Sequence, residues 1–176
     1  MEKGMKLLVI DIQKGITDSR LFNFEAFIDD TTRIIKAARD NQIEVIYFQH
    51  DDGPGTGFSI GDEEFEIAEQ VMPKDGEKIF IKNINSCFGN KDFTDYIKDD
   101  NTLMIVGLQT NFCIDATVKS AFERGYKVIV PQGANSTFDN DYMTGEETYK
   151  YYNDMMWPKR FATCVSVDEA IKLMES

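Results

Sequence analysis

Three side chains that together can carry out covalent catalysis each follow an apolar run of the sequence. Asp11 comes directly after Leu-Leu-Val-Ile, Lys82 comes after Ile-Phe-Ile, and Cys113 follows Leu-Met-Ile-Val and a short connection. A thiol can attack a carbonyl carbon, a carboxylate can take up and return the proton, and an ammonium can stabilise either negative charge. The set predicts nucleophilic catalysis in which histidine plays no part.

Cys113 is the candidate nucleophile. The sequence places it in the first turn of a predicted helix, where backbone N–H groups lack partners and the helix dipole is positive. Both effects favour a thiolate, so we expect a lowered pKa for this thiol. The same N–H groups suit the oxyanion that forms when a carbonyl is attacked. The alternative is a buried, inert cysteine.

Asp11 and Lys82 also have plainer interpretations. Asp11 can cap a turn, and Lys82 can be a surface lysine whose stem covers apolar neighbours. A phosphoryl-accepting aspartate is disfavoured because the sequence reads Asp11-Ile-Gln13 instead of Asp-x-Asp. His50 also follows a predicted strand and is a rival base, although His-Asp-Asp-Gly-Pro is typical of the start of a loop.

Short apolar runs alternate with segments of helical period, and these elements must position the reactive side chains. We predict strands at Lys6–Ile10, Glu44–Gln49, Lys78–Ile81, Thr102–Val106, Lys127–Val130 and Ala162–Val165. We predict helices at Phe24–Asp40, Lys91–Lys98, Cys113–Arg124 and Ser166–Met174, the last opening with a capping box formed by Ser166 and Glu169. This alternation indicates an α/β three-layer sandwich with a mainly parallel sheet, which binds ligands beyond the carboxyl ends of its strands.

Three stretches show no such pattern: 51–76, 83–90 and 131–145. The first is too long for a simple connection, so we expect it to shape a substrate site. A short helix over Glu63–Gln70 fits its sequence.

Composition excludes several classes of protein. The chain of 176 residues has 31 acidic and 19 basic side chains and a formal charge of −12, which disfavours nucleic acid and anionic membranes as partners. The length predicts a single domain over residues 1–176, and no apolar run is long enough to span a membrane. One histidine rules out a metal site built from two imidazoles of this chain, and three scattered cysteines indicate a reducing, cytoplasmic environment.

Three blocks of sequence resemble the isochorismatase-like cysteine hydrolases, a family that includes nicotinamidase and N-carbamoylsarcosine amidase. The blocks are Leu8-Val-Ile-Asp-Ile-Gln13, Lys82 followed by Ser86-Cys-Phe88, and Val106-Gly-Leu-Gln-Thr-Asn-Phe-Cys-Ile-Asp-Ala-Thr117. The resemblance implies a six-stranded, Rossmann-like sheet and an Asp-Lys-Cys triad at Asp11, Lys82 and Cys113. It also implies a homo-oligomer, a dimer or a tetramer.

The resemblance further implies a cis peptide bond between Leu108 and Gln109. The oxyanion hole would then consist of the backbone N–H groups of Gln109 and Cys113.

The departures from the family pattern are informative. Nicotinamidases carry Asp-x-His and a second histidine that bind a metal, whereas this chain reads Gln49-His-Asp-Asp52 and has no other histidine. We therefore expect no metal and no cofactor. Family members often have Asp-Ala after the fifth strand, where this chain has Gly133-Ala134.

The predicted function is hydrolysis of a C–N bond in a small amide-like molecule through a thioester, because Cys113 is retained. Two alternatives remain open: vinyl-ether hydrolysis with Asp11 as the acid, as in true isochorismatases, and a non-catalytic binding module on the same fold. The substrate pocket is predicted to include Gln13, Phe22, Phe58, Cys87 and Trp157, each of which can instead be a packing residue.

Overall fold

The computed structural model describes residues 4–176, which surround a seven-stranded sheet whose strands pair in parallel. The strands are β1 Met5–Ile10, β2 Glu44–His50, β3 Lys78–Lys82, β4 Thr102–Leu108, β5 Lys127–Pro131, β6 Asn135–Ser136 and β7 Thr163–Val165. The order is β3-β2-β1-β4-β5-β7, with β6 beside the end of β4. The six predicted strands are confirmed. The two-residue β6 is additional and has no apolar run that would mark it.

Helices cover both faces of the sheet, which confirms the three-layer α/β sandwich. They are α1 Phe24–Asp40, α2 Lys91–Tyr96, α3 Asp115–Glu123, α4 Gly145–Lys150 and α5 Val167–Glu175. α1 and α5 pack on one face, and α2 and α3 pack on the other. The predicted capping box is present, since Ser166 and Glu169 each accept a hydrogen bond from the other's backbone N–H. Across residues 4–176, no helix is both long enough and apolar enough to cross a bilayer.

One α-helix was not predicted. α4 continues into a π-helical turn, Tyr151–Met156, although this region has no apolar stripe and buries only Gly145 and Thr148 within α4. Its readable signal is a capping box between Thr144 and Glu147.

The segment from 51 to 76 is mostly irregular. A helix over Glu63–Gln70 is absent; single 3-10 turns occur at Glu63–Phe65 and Glu69–Val71 instead. The backbone between them is extended, which lets Ile67 and Ala68 turn into the core.

Gly107 lets the end of β4 lie unusually close to the end of its neighbour β1 in the sheet. Its φ is +129°, and a Cβ atom at this position would lie 2.1 Å from the carbonyl oxygen of Ile10. Only glycine fits so close a backbone approach. The approach brings the segment after β4 next to Asp11.

Candidate active site

Four reactive side chains meet at the carboxyl edge of the sheet. Asp11 follows β1, His50 ends β2, Lys82 ends β3, and Cys113 lies just beyond β4. These strands are neighbours in the order β3-β2-β1-β4, and His50 pairs with Lys82 in register. The topology thus assembles residues that are up to 102 positions apart in sequence.

The Lys82 ammonium is the centre of the site. Its Nζ lies 2.7 Å from Oδ2 of Asp11, 3.1 Å from Nδ1 of His50 and 3.3 Å from Sγ of Cys113. It also donates to the carbonyl oxygen of Ile84 at 3.2 Å. Burial of a lysine is tolerated only with such partners.

Asp11 is buried and holds a left-handed backbone conformation with φ +53°. Its N–H donates to the carbonyl oxygen of Phe48, which fixes the turn after β1. Within residues 4–176, Oδ1 of Asp11 has no hydrogen-bond partner. This oxygen is therefore available to accept a proton.

Cys113 lies in a π-helical turn, Thr110–Ile114, that precedes α3. The carbonyl oxygen of Gln109 accepts hydrogen bonds from the N–H groups of Phe112 and Ile114, which closes the turn. The Leu108–Gln109 peptide bond is cis. Sγ of Cys113 faces the ammonium of Lys82 on one side.

The pKa of Cys113 is not lowered. Burial raises it to about 12, the negative charge of Asp11 adds to the rise, and the positive charge of Lys82 opposes it. The expectation of a lowered pKa is wrong because it considered only the local N–H groups and omitted desolvation and the adjacent carboxylate. In the resting site the sulfur carries its proton.

The partners of Cys113 are also perturbed. Burial raises the pKa of the Asp11 carboxyl, against the attraction of Lys82. Burial alone would lower the pKa of Lys82, but the charge of Asp11 holds it above its ordinary value. A carboxylate with a raised pKa is a stronger base toward the thiol proton.

These side chains open into a cavity of about 250 Å³, just below the lower limit of about 300 Å³ for typical small-molecule sites. It is lined by five apolar residues, Ile16, Phe58, Leu108, Phe112 and Cys113, and by five polar ones, Asp11, His50, Asp52, Asn85 and Gln109.

Phe58 lines this cavity, whereas Phe22, Cys87 and Trp157 do not. Phe22 packs against the ring of Tyr149, with 5.3 Å between ring centroids. Cys87 and Trp157 are fully buried in the core on the α3 side. The indole of Trp157 is held there because Nε1 donates to Oδ1 of Asp115 at 2.9 Å.

Gln13 is buried and does not line the cavity. Its side chain accepts from the N–H of His50 at 2.8 Å and donates to the carbonyl oxygens of His50 and Phe65. Gln13 therefore holds the end of β2, and through it His50, in place.

Sequence reasoning missed four residues that line the cavity: Ile16, Asp52, Asn85 and Phe112. Sγ of Cys113 lies 3.7 Å from Oδ1 of Asn85. The sequence offers one signal that could have found Asn85 and Phe112, namely that they are close to Lys82 and Cys113 in the chain. His50, considered only as a rival base, contacts Lys82 directly.

Asp11, His50 and Cys113 offer ligand atoms within 4.8 Å of one another, a set that can hold a metal ion. The ammonium of Lys82 already contacts Asp11 Oδ2, His50 Nδ1 and Cys113 Sγ. A metal ion would have to displace this cation from the same three groups. The site as built is satisfied by lysine.

Gly133 occupies a position that an aspartate would not fit. Its φ is +94°, its N–H donates to the hydroxyl of Tyr149 at 2.7 Å, and an added Cβ would lie 2.4 Å from Oδ2 of Asp30. Gly133 does not line the cavity.

The chain is similar in sequence and in structure to several known proteins. The family described as Isochorismatase domain matches residues 6–169. The isochorismatase family protein YrdC of Bacillus subtilis is 28% identical over 180 residues, covering 97% of this chain and 96% of that protein. A streptothricin hydrolase of Streptomyces noursei is 26% identical over 142 residues, covering 76% of this chain and 54% of that enzyme. A crystal structure of an isochorismatase family protein superposes with a TM-score of 0.85 and 27% identity, covering 94% of this chain and all of that one.

Proposed function

The chain belongs to the isochorismatase family of hydrolases, and from that premise we propose that it cleaves a C–N bond of a small amide-like molecule through a thioester on Cys113. Asp11 is the proton carrier and Lys82 stabilises the charges that develop. The backbone N–H groups of Gln109 and Cys113 are the proposed oxyanion hole.

The observation that carries this proposal is the position of one ammonium between a carboxylate and a thiol. Lys82 Nζ is within hydrogen-bond distance of both Asp11 Oδ2 and Cys113 Sγ, at 2.7 Å and 3.3 Å. Such a cation stabilises the thiolate at the moment it forms and holds the carboxylate in reach of its proton.

In the first half of the reaction, Asp11 takes the thiol proton as Cys113 Sγ bonds to the carbonyl carbon. The carbonyl oxygen becomes an oxyanion, which the N–H groups of Gln109 and Cys113 stabilise. Asp11 then gives its proton to the nitrogen, the C–N bond breaks, and an amine leaves. A thioester remains on Cys113.

In the second half, Asp11 takes a proton from water, whose oxygen attacks the thioester carbon. The C–S bond breaks, a carboxylic acid leaves, and the sulfur regains its proton from Asp11. No proton is gained or lost by the triad over the cycle, and no metal or cofactor takes part in any step.

The raised pKa of Asp11 favours a second candidate reaction. A carboxyl that holds its proton can protonate a vinyl ether, and that reaction does not require a thiol. It predicts that activity survives Cys113→Ala and is lost in Asp11→Asn.

The two reactions are distinguished by turnover of a panel of small amides, streptothricin and vinyl ethers. Streptothricin is included because relatives of this chain are streptothricin hydrolases. For C–N hydrolysis we expect both Cys113→Ala and Asp11→Asn to lose activity, while Cys164→Ala, which alters a thiol outside the cavity, retains it. Activity of Cys113→Ala at the wild-type rate contradicts the proposal.

Two further predictions concern the setting of the enzyme. We propose a homo-oligomer in a reducing, cytoplasmic environment, supported by the family and by three cysteines that form no disulfide within the described part of the chain. Sedimentation of the purified protein tests the first prediction. One relative, from Verticillium dahliae, is a secreted effector, so the second needs its own test by cell fractionation.

A further inference from the structure

The loop that follows β2 is closed at its base beside the reactive cysteine. The N–H of Asp51 donates to the carbonyl oxygen of Lys82 at 2.8 Å, and the N–H of Asp52 donates to the carbonyl oxygen of Phe58 at 3.0 Å. Asp52 and Phe58 both line the cavity that contains Cys113. The base of this loop therefore presents a carboxylate and an aromatic ring to the same site.

His50 holds the carboxylate of Asp52 in place. Nδ1 of His50 lies 3.1 Å from the Lys82 ammonium, and Nε2 lies 3.1 Å from Oδ1 of Asp52. Among the described residues, Asp52 has no lysine or arginine partner.

The remaining oxygen of Asp52 is available to a ligand. Oδ2 makes no hydrogen bond or ion pair with any group in residues 4–176, and the side chain is 54% exposed. The carboxylate is thus anchored by one oxygen and open on the other.

The cavity has a negative character. Its lining contains no lysine or arginine, and of its two carboxylates Asp11 is paired with Lys82 while Asp52 is paired with neither a lysine nor an arginine of the described residues. The chain as a whole has a formal charge of −12, which adds an attractive field for positive ligands.

Phe58 and Phe112 line the same cavity as Asp52. Aromatic rings attract cations through the negative face of the π system, and a carboxylate in the same cavity adds a charged hydrogen-bond acceptor. The lining supplies no positive side chain for a substrate carboxylate or phosphate.

We propose that Asp52, with Phe58 and Phe112, forms a cation subsite, and that the substrate is a small amide carrying a protonated amine away from the scissile bond. This inference rests on the proposed function, since it assumes that the amide carbonyl is held at Cys113. Asp52 is a specificity residue that binds substrate and takes no part in proton transfer.

The subsite is tested by the charge preference of thiol labelling at Cys113. Methanethiosulfonates bearing a trimethylammonium, a sulfonate or no charge differ little in size and react with a thiol in the same way, each forming a mixed disulfide. Their rates are measured in Cys164→Ala protein, read at the Cys113 peptide by mass spectrometry and divided by the rates with a free small thiol. We expect the cation to exceed the anion by about tenfold or more at low salt, with the ratio falling as salt is added.

The variant Asp52→Asn should reduce this cation-to-anion ratio by about fivefold or more. Asp40→Asn is the matched control because it removes an equal charge from a side chain of similar exposure, 58%. Asp40 ends α1 next to the start of β2, at the opposite edge of the sheet, so we expect the ratio to be unchanged.

Two different outcomes separate failure of the subsite from failure of the proposed function. Equal corrected rates for the three reagents, or an unchanged ratio in Asp52→Asn, overturn the cation subsite and leave the nucleophile in place. Absence of labelling at Cys113 by every reagent overturns both. With an amine-bearing amide substrate, Asp52→Asn should raise KM more than it lowers kcat, as a binding role requires.

Discussion

Lys82 and Asp11 form an ion pair from which water is excluded: Nζ and Oδ2 are 2.7 Å apart, and the side chains are 0% and 1% exposed. Desolvating two charges costs about as much as their attraction returns, so such a pair is a poor source of stability. Its presence at the edge of the sheet is instead explained by chemistry, because the same ammonium contacts the thiol of Cys113.

Removing only the Lys82 partner of this ion pair should lower the stability of the protein. Lys82→Met leaves the Asp11 carboxylate buried without a cation, and we expect a loss of about 3–5 kcal/mol in the free energy of unfolding at pH 7. The loss should shrink as pH falls, because the folded pKa of Asp11 is raised and protonation removes the buried charge. Urea denaturation at several pH values measures both effects.

The double variant Asp11→Asn/Lys82→Met is the control for that loss. It removes both charges, so it should recover a large part of the stability that Lys82→Met loses. A Lys82→Met variant as stable as the wild type would show that the pair is not buried as described.

Labelling of Cys113 should increase with pH well beyond the range of an ordinary thiol, which titrates near about 8.5. Burial raises the pKa of Cys113 to about 12. Since the thiolate is the reactive form, the iodoacetamide rate should rise steadily from pH 7 to 10 with no plateau. Peptide mass spectrometry follows each cysteine separately.

Two variants should shift the pKa of Cys113 in opposite directions. Asp11→Asn removes a negative charge that raises the pKa of Cys113, so labelling at pH 8 should become faster although turnover is lost. Lys82→Met removes a positive charge that lowers it, so labelling should become slower. A plateau below pH 8.5 in the wild type would contradict the buried, protonated thiol.

Thr110 fastens the turn that carries Cys113. Its Oγ1 donates to Oδ1 of Asn135 at 2.7 Å, and Asn135 exchanges two further hydrogen bonds with Asn153. Thr110→Val removes one of the two hydrogen bonds that Oδ1 of Asn135 accepts, so we expect a loss of about 1 kcal/mol in unfolding free energy and a lower kcat. Thr110→Ser keeps the hydroxyl and should retain most of both; equal defects in the two variants would contradict a role specific to the hydroxyl.

Gly107 should be irreplaceable, whereas another glycine of positive φ should not. Gly107→Ala places a Cβ 2.1 Å from the carbonyl oxygen of Ile10, so we expect severe destabilisation or failure to fold. At Gly55, with φ +83° and nothing within 4 Å of an added Cβ, alanine should cost only about 1 kcal/mol. Thermal melting of both variants tests the close approach, which equal melting temperatures would refute.

The elements that position the site could be predicted where a single local signal defines them. The apolar stripe of Phe24–Asp40 predicted α1 with its observed bounds, and Ser166 with Glu169 predicted the start of α5. Asp11, Lys82 and Cys113 were predictable because each follows a strand and parallel strands share one carboxyl edge.

The rest of the site depends on contacts that no local pattern reveals. Asp52 reaches the cavity because its loop closes on Phe58, and Asn85 reaches it because the chain turns back after Lys82. Trp157 was predicted to line the pocket because it is an aromatic residue near a loop. Its side chain is instead buried in the core, where the indole N–H donates to Asp115. The direction of the pKa shift at Cys113 likewise depends on burial and on Asp11, which is distant in sequence.

The most direct test of the account is to look for the acyl group on Cys113 during turnover. The amide of the panel that is cleaved fastest is mixed with enzyme and quenched in acid within the first turnovers, and the Cys113 peptide is weighed. We predict a mass increase equal to the acyl part of that substrate in the wild type and none in Cys113→Ala, whose unfolding free energy should change by only about 1 kcal/mol. Turnover by Cys113→Ala at the wild-type rate, with no acyl group on Cys113 in the wild type, would contradict the thioester mechanism.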